Sequence, residues 1–409
     1  MWIKNLLIGS LAVCFITVPL PIKIHNGSMI FTAIIWLTYT LQNRTTFRFN
    51  PKLFFLISAL FWLSALSLVY TIDFNLGLTR IETKLPVLVW PLIILGNYNL
   101  KIDRKTVDAL FYAFSLSVVL CCLYCHYHMV LNLFDQNRGW DELLTFYQFQ
   151  TSYLSEPINI HPTYFSIYVI ISIITLAFIA FEKKKMIITI LHSILILYLI
   201  LFLFLLASRG ALLSFIVVII MTGFYLLFSL KRRGLGLSLI VTMVSIFTIA
   251  FVLSFNVRYK FYETINDFVV DDANLNSTNS VTLHYRSWMC SLELMNHQNM
   301  LMGVGVGDDE GQLNECYSSH GWNLMREESF NSHNEYLTIL MRLGLVGLAS
   351  FAGMLVFAIY SSIAKNDFFM MMIMMLFIVC FIGESFLETQ KGITAYWLFL
   401  SMLVNRNLS

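Results

Sequence analysis

The chain has 409 residues, 58% hydrophobic, 15% aromatic and only 12% charged, where an ordinary soluble domain carries about 25% charged residues. With a mean hydropathy of +0.73, that balance excludes a soluble globular protein and predicts an all-α integral membrane protein. A formal net charge of +2 argues against a nucleic-acid partner, which needs a concentrated basic face, and seven scattered cysteines make no disulfide scaffold.

Roughly 20 apolar residues cross a bilayer core about 30 Å thick. About twelve transmembrane helices are expected on that criterion, near residues 5–22, 28–42, 53–71, 83–97, 107–133, 161–181, 186–207, 210–230, 235–256, 336–361, 366–387 and 392–405. The fourth and the last are short, and Arg80, Glu82 and Lys84 lie on the approach to the fourth. The first is an uncleaved span, because no small-residue cleavage site follows it and Val18-Pro19-Leu20-Pro21 ends the helix.

Cations follow every even-numbered segment: Arg44, Arg48 and Lys52, then Lys101, Arg104 and Lys105, then Lys183 to Lys185, then Lys231 to Arg233. Short loops rich in Lys and Arg stay cytoplasmic, so both termini are expected there, with Lys4, Lys365 and Arg406 on the same side. The chain divides into an N-terminal bundle of nine spans over 1–256 with an outer connection at 134–160, a large periplasmic loop subdomain over 257–335, and C-terminal helices over 336–409.

The large loop is acidic. It holds Glu263, Asp267, Asp271, Asp272, Glu293, Asp308, Asp309, Glu310, Glu315, Glu327, Glu328 and Glu335 against Arg258, Lys260, Arg286 and Arg326. Apolar residues at helical spacing from His284 to Asn299 predict an amphipathic helix near the membrane surface. Asn274 to Asn279 reads as a turn-rich connector.

Ser208-Arg209-Gly210 joins two spans with almost no loop, which puts Arg209 at the outer membrane boundary. One reading is a snorkelling cation. The other is an anion site, since a guanidinium holds two phosphate oxygens at once and stays charged when partly desolvated. His333 opens the tenth segment within Asn331-Ser332-His333-Asn334-Glu335-Tyr336. A helix start emerging from the loop offers free N–H groups to an anion, and a histidine flanked by Asn334 and Glu335 is a candidate for proton transfer. Glu335 reads equally as a first-turn acid that favours the helix dipole.

Other signals take plainer readings. His161, in His161-Pro162-Thr163-Tyr164, either borders the same cavity or belongs to a helix start with Pro in its first turn. Glu384 and Glu388, one helical turn apart, either recognise sugar hydroxyls or neutralise Lys391. Gly303 to Asp308 is a glycine-rich turn without the context of a nucleotide loop, and Asp308, Asp309, Glu310 and Glu315 form a solvated acidic face without calcium-loop spacing. Cys121, Cys122, Cys125, His126 and His128 fall in an apolar span, where Cys packs as a small hydrophobe. Cys290 and Cys316 share the loop and are candidates for a disulfide.

Ser208-Arg209-Gly210-Ala211-Leu212, the large outer loop, and His333-Asn334-Glu335-Tyr336-Leu337 followed by Arg342-Leu343-Gly344-Leu345-Val346-Gly347-Leu348 together resemble the O-antigen ligase and polymerase superfamily. The resemblance is close from Arg209 to the Glu384–Glu388 region. It implies a metal-independent, inverting glycosyltransferase without cofactor, working at the periplasmic face of the bacterial inner membrane. The implied donor is a glycan on undecaprenyl pyrophosphate. The implied acceptor is lipid A core, with O-antigen or exopolysaccharide polymerisation and protein O-glycosylation as alternatives.

By motif position the resemblance assigns catalysis to Arg209, Arg286 and His333, and a substrate cation to Lys84 or Arg80. Arg342 with Gly353 fits an Arg-x10-Gly spacing associated with the polymerases, but it falls within a span and reads as chance. From a different class, a lipid-linked glycan flippase would show inverted repeats and broken helices around a midplane site, and neither is evident.

Overall fold

A computed structural model describes residues 2–45, 47–136, 139, 152–183, 185–229, 280–297 and 300–408, together with scattered positions between 234 and 262. The ninth expected segment and most of the 134–160 connection lie outside the described residues. Those that are described form helices and turns, with a single isolated bridge between Phe49 and Asn97.

The helices, in chain order, are α1 Trp2–Thr17, α2 Ile22–Gln42, α3 Pro51–Ser67, α4 Phe74–Thr83, α5 Leu85–Ile94, α6 Arg104–Asp135, α7 Ser152–Ser155, α8 Pro162–Lys183, α9 Met186–Leu206, α10 Arg209–Phe224, α11 Ser280–His297, α12 Asp309–Ser319, α13 Asn323–Glu327, α14 Glu335–Ala364, α15 Phe368–Gly383 and α16 Gln390–Leu408. Their starts follow local chemistry. Asp73, Asp103, Asn334 and Asp367 each accept a hydrogen bond from the backbone N–H three residues on, satisfying a donor the helix leaves open.

Among the described residues, five helices are long and apolar enough to cross a membrane: α6, α8, α9, α10 with the turn that follows it, and α14. Helices α1, α3 and α15 are apolar but shorter. The fourth expected segment is the short helix α5, with Pro86 in its first turn, and its approach is a second short helix, α4, that meets it at Lys84. The tenth is broken at Gly344, whose φ of 64° and ψ of −162° only glycine adopts readily.

The core sits along α8 and α16. Every residue of α16 from Gly392 to Asn407 is buried, so the short last segment is the centre of the bundle rather than its margin. Phe15, Phe111 and Phe399 meet edge-on or tilted within it. Peripheral helices show apolar side chains outward, among them Ile34 on α2 and Ile194 on α9, as lipid-facing surfaces do. Arg406, read as a loop cation, is fully buried instead, paired with Asp108 at 2.8 Å and with Asp367.

Helices α11 to α13 carry a second, smaller core around Leu283, Leu313, Tyr317, Trp322 and Met325, and the Cys290–Cys316 disulfide ties α11 to α12. The amphipathic helix expected over 284–299 therefore begins four residues earlier and lays its apolar face on this core.

The glycine-rich turn docks the loop onto the bundle. At the Gly344 break, Leu345 and Val346 donate their N–H groups to the Met300 and Leu301 carbonyls, while Val304 and Gly305 donate to those of Met341 and Arg342. A Cβ at Gly344 would overlap the Leu301 carbonyl. Asp308 accepts the N–H groups of Ile72 and Asp73, both at 2.8 Å. Asp309, 3% exposed, is gripped by Arg80 and by Arg342 at 2.8 Å. Asp308 and Asp309 are thus a buried fastening, which corrects the expectation of a solvated acidic face.

Candidate active site

The site forms where the loop hands the chain back to the bundle. Asn334 caps α14 through Leu337 N–H at 3.1 Å, donates its side-chain amide to the Ile382 carbonyl at 3.0 Å and its backbone N–H to Ser385 Oγ at 3.1 Å. The start of α14 is thereby pinned to the end of α15. Asn331 Oδ1 accepts the His333 N–H at 2.9 Å, closing a turn that holds His333 at a φ of 44°, a region uncommon for non-glycine residues.

Three groups meet the His333 imidazole. Glu384 Oε1 lies 3.8 Å from His333 Nδ1, with the side chains 18% and 27% exposed, so both are reachable yet partly desolvated. The His284 ring, from α11, is centred 4.8 Å from the His333 ring, and Phe330 flanks His333 on its loop side, centred 5.6 Å away.

Arg209, the first residue of α10, is close enough for its charge to act on His284. Burial first, then the neighbouring His333 and Arg209, push His284 down to about 4 against the pull of Glu384. His161 is also lowered, by burial foremost, with Glu384 and His333 acting on it in opposite directions. Ser208 Oγ donates to Thr163 Oγ1 at 3.2 Å, which joins the start of α10 to that of α8. His333, Arg209 and His161 are therefore brought to one neighbourhood, and His284 and Glu384 join them.

The remaining candidates sit in the surrounding framework. Glu335 is buried and accepts the Leu387 N–H at 2.8 Å. Lys84 lies 3.6 Å from Glu388, which Arg342 also holds. Burial alone would raise the Glu388 carboxyl, but Arg342 and Lys84 outweigh it and hold the group down to about 2. Arg80 donates to the Val306 carbonyl at 2.8 Å and pairs with Asp309 and Glu310. Glu384 and Glu388 are not one helical turn apart, because α15 ends at Gly383. Nor does Lys391 serve them; its ammonium donates to the Val18 and Leu20 carbonyls.

Arg286 is 1% exposed and stacks its guanidinium over the Trp322 ring at 4.9 Å. Two residues along a helix turn the side chain by about 200°, so His284 and Arg286 cannot face the same way. His284 faces His333 and Arg286 faces the loop core.

Two other places were candidates for ligands. Cys290, Glu293, Cys316 and His320 offer metal-type ligand atoms within 4.8 Å of one another, with both sulfurs joined in the disulfide. A cavity of about 760 Å³ is lined by Asp73, Glu293, Asp308, Glu310 and Glu315 and by none of the site histidines; its carboxylates would repel a diphosphate.

Residues 194–352 match the family model described as O-antigen ligase. By this match, that stretch of the chain is similar to the O-antigen ligase superfamily. No curated protein matches the chain. The O-antigen ligase match covers Arg209, His284, Arg286, His333, Asn334, Glu335 and Arg342 and stops before Glu384, while Arg80, Lys84 and His161 lie ahead of it. Members of this superfamily are glycosyltransferase-like enzymes, ligases and related polymerases.

Proposed function

We propose that the protein is an O-antigen ligase-type glycosyltransferase of the bacterial inner membrane, moving a glycan from undecaprenyl pyrophosphate to lipid A core at the periplasmic face. The observation that carries this reading is the convergence of His333, Glu384, His284 and Arg209 around the turn that starts α14. The basic residues Lys101, Arg104 and Lys365 lie at the other ends of α6 and α14, which supports an outward-facing site.

His333 removes the proton of the acceptor hydroxyl as its oxygen attacks the anomeric carbon. Its Nδ1 faces Glu384, so Nε2 is the nitrogen for the hydroxyl, and Glu384 stabilises the imidazolium that forms, as a carboxylate does in hydrolytic triads. The bond from the anomeric carbon to the pyrophosphate oxygen breaks on the opposite face and the centre inverts. Arg209 takes up the charge on the departing diphosphate. His284 stays neutral at physiological pH and serves as a hydrogen-bonding wall. Arg286, behind it, acts on the site by holding α11 in place.

Purified protein supplied with carrier-linked glycan and lipid A core tests the reading. The expected result is release of carrier pyrophosphate with the glycan joined to lipid A core. Extension of carrier-linked chains would identify a polymerase instead, and movement of intact donor across the bilayer a flippase.

A further inference from the structure

A second cavity, of about 610 Å³, lies at the opposite end of α14 from His333. Its walls are apolar, built from Leu53 and Leu56 of α3, Ile94 of α5, Leu100, and Phe357 and Tyr360 of α14. Lys52, Lys101 and Lys365 also line it. They come from three separate points of the chain: the first turn of α3, the connection before α6, and the cap that follows α14. All three are exposed, which puts them at the mouth. Among the described residues no Asp or Glu lines the cavity, and none of these lysines is in an ion pair.

The asparagines there are spent on the scaffold. Asn405 donates to the Ile94 and Leu100 carbonyls and accepts from Ile102 N–H, and Asn97 accepts from the N–H groups of Arg48 and Asn99. The lysine ammonium groups are the charged groups of the lining that meet a ligand.

Position settles the kind of ligand. Ala364 ends a helix of spanning length, so Lys365 stands at the membrane boundary, with Tyr360, 69% exposed, one turn below it as interfacial aromatics stand. An apolar slot at the membrane boundary, lined by three exposed lysines and no Asp or Glu among the described residues, complements one class of molecule. We infer that this cavity binds an anionic glycerophospholipid, its acyl chain along Leu56 and Phe357 and its phosphate held by Lys52, Lys101 and Lys365. The inference is independent of the catalytic reading, since the two sites stand at opposite ends of α14.

The test is thermal unfolding of the detergent-purified full chain with added phosphatidylglycerol, phosphatidylethanolamine or inorganic phosphate. Phosphatidylglycerol is expected to raise the midpoint by several degrees, and the other two much less. The triple variant Lys52→Ala/Lys101→Ala/Lys365→Ala should lose that rise, with affinity down on the order of 100-fold at about 5-fold per lysine. Arg104→Ala/Lys105→Ala, on the same face but outside the cavity, should keep it. The substitutions are at exposed positions and leave folding intact, which the unliganded midpoint verifies. An equal rise with phosphatidylethanolamine or with phosphate, an undiminished rise in the triple variant, or an equal loss in the Arg104/Lys105 variant would each overturn the inference.

Discussion

Glu384 meets His333 Nδ1 at 3.8 Å across the gap between the end of α15 and the start of α14, and the pair exists because Asn334 and Ser385 lock those two ends together. If His333 is the base, Glu384 sets its tautomer. Glu384→Gln should then lower kcat on the order of 10-fold with little change in donor KM, a smaller loss than the 10²- to 10⁴-fold expected for removing a general base. Steady-state kinetics with carrier-linked glycan measure it. A change confined to KM would make Glu384 a substrate contact instead.

His284 makes stability depend on pH. Its imidazole is held down to about 4 in the fold and returns to about 6.5 in the unfolded chain, so unfolding takes up a proton between those values. Stability from this group is complete above about pH 6.5 and falls as pH drops toward 4. Thermal midpoints across that window should fall less steeply in His284→Gln than in the parent; equal slopes would remove His284 as the cause.

Arg342 binds Asp309 of the loop and Glu388 of the bundle while almost fully buried itself. Arg342→Met leaves Asp309 with Arg80 alone and Glu388 with Lys84 alone, a change expected to cost up to about 3–5 kcal/mol, the penalty for a buried carboxylate that loses its partner altogether. The midpoint of chemical unfolding should shift accordingly, and adding Asp309→Asn should recover part of the loss. A neutral Arg342→Met would show that the loop is fastened elsewhere.

The Cys290–Cys316 disulfide closes a sequence separation of 26 residues, worth about 3.5 kcal/mol by loop entropy. Cys290→Ser/Cys316→Ser should lower the thermal midpoint, and a reductant should have no further effect on that variant. If the midpoint is unchanged, the loop core alone holds α11 on α12.

The re-entry motif was legible because helix starts have local signatures: Asn334 caps, His333 precedes it, and the apolar run follows. The helical face of α11 was legible as well, yet the motif position drew attention to Arg286, where the 100° step between residues lets only His284 turn toward His333. Glu384 was read as continuing α15, although Gly383 ends that helix and leaves the carboxylate free to swing toward the loop. Asp309 looked solvated because its partners, Arg80 and Arg342, are distant in the chain, and no local pattern announces a pairing that only the fold creates. The break at Lys84 did carry a signal in Leu85-Pro86, and the burial of the last helix carried little, since an apolar segment reads alike whether it faces lipid or protein.

The most direct measurement is a single-turnover assay with His333→Ala, saturating donor and acceptor, following release of the carrier pyrophosphate while donor binding is measured in parallel. With Arg209 in place, donor should bind with nearly unchanged affinity and the transfer rate should fall by at least 10². Transfer at the parent rate in correctly folded His333→Ala protein would contradict the account.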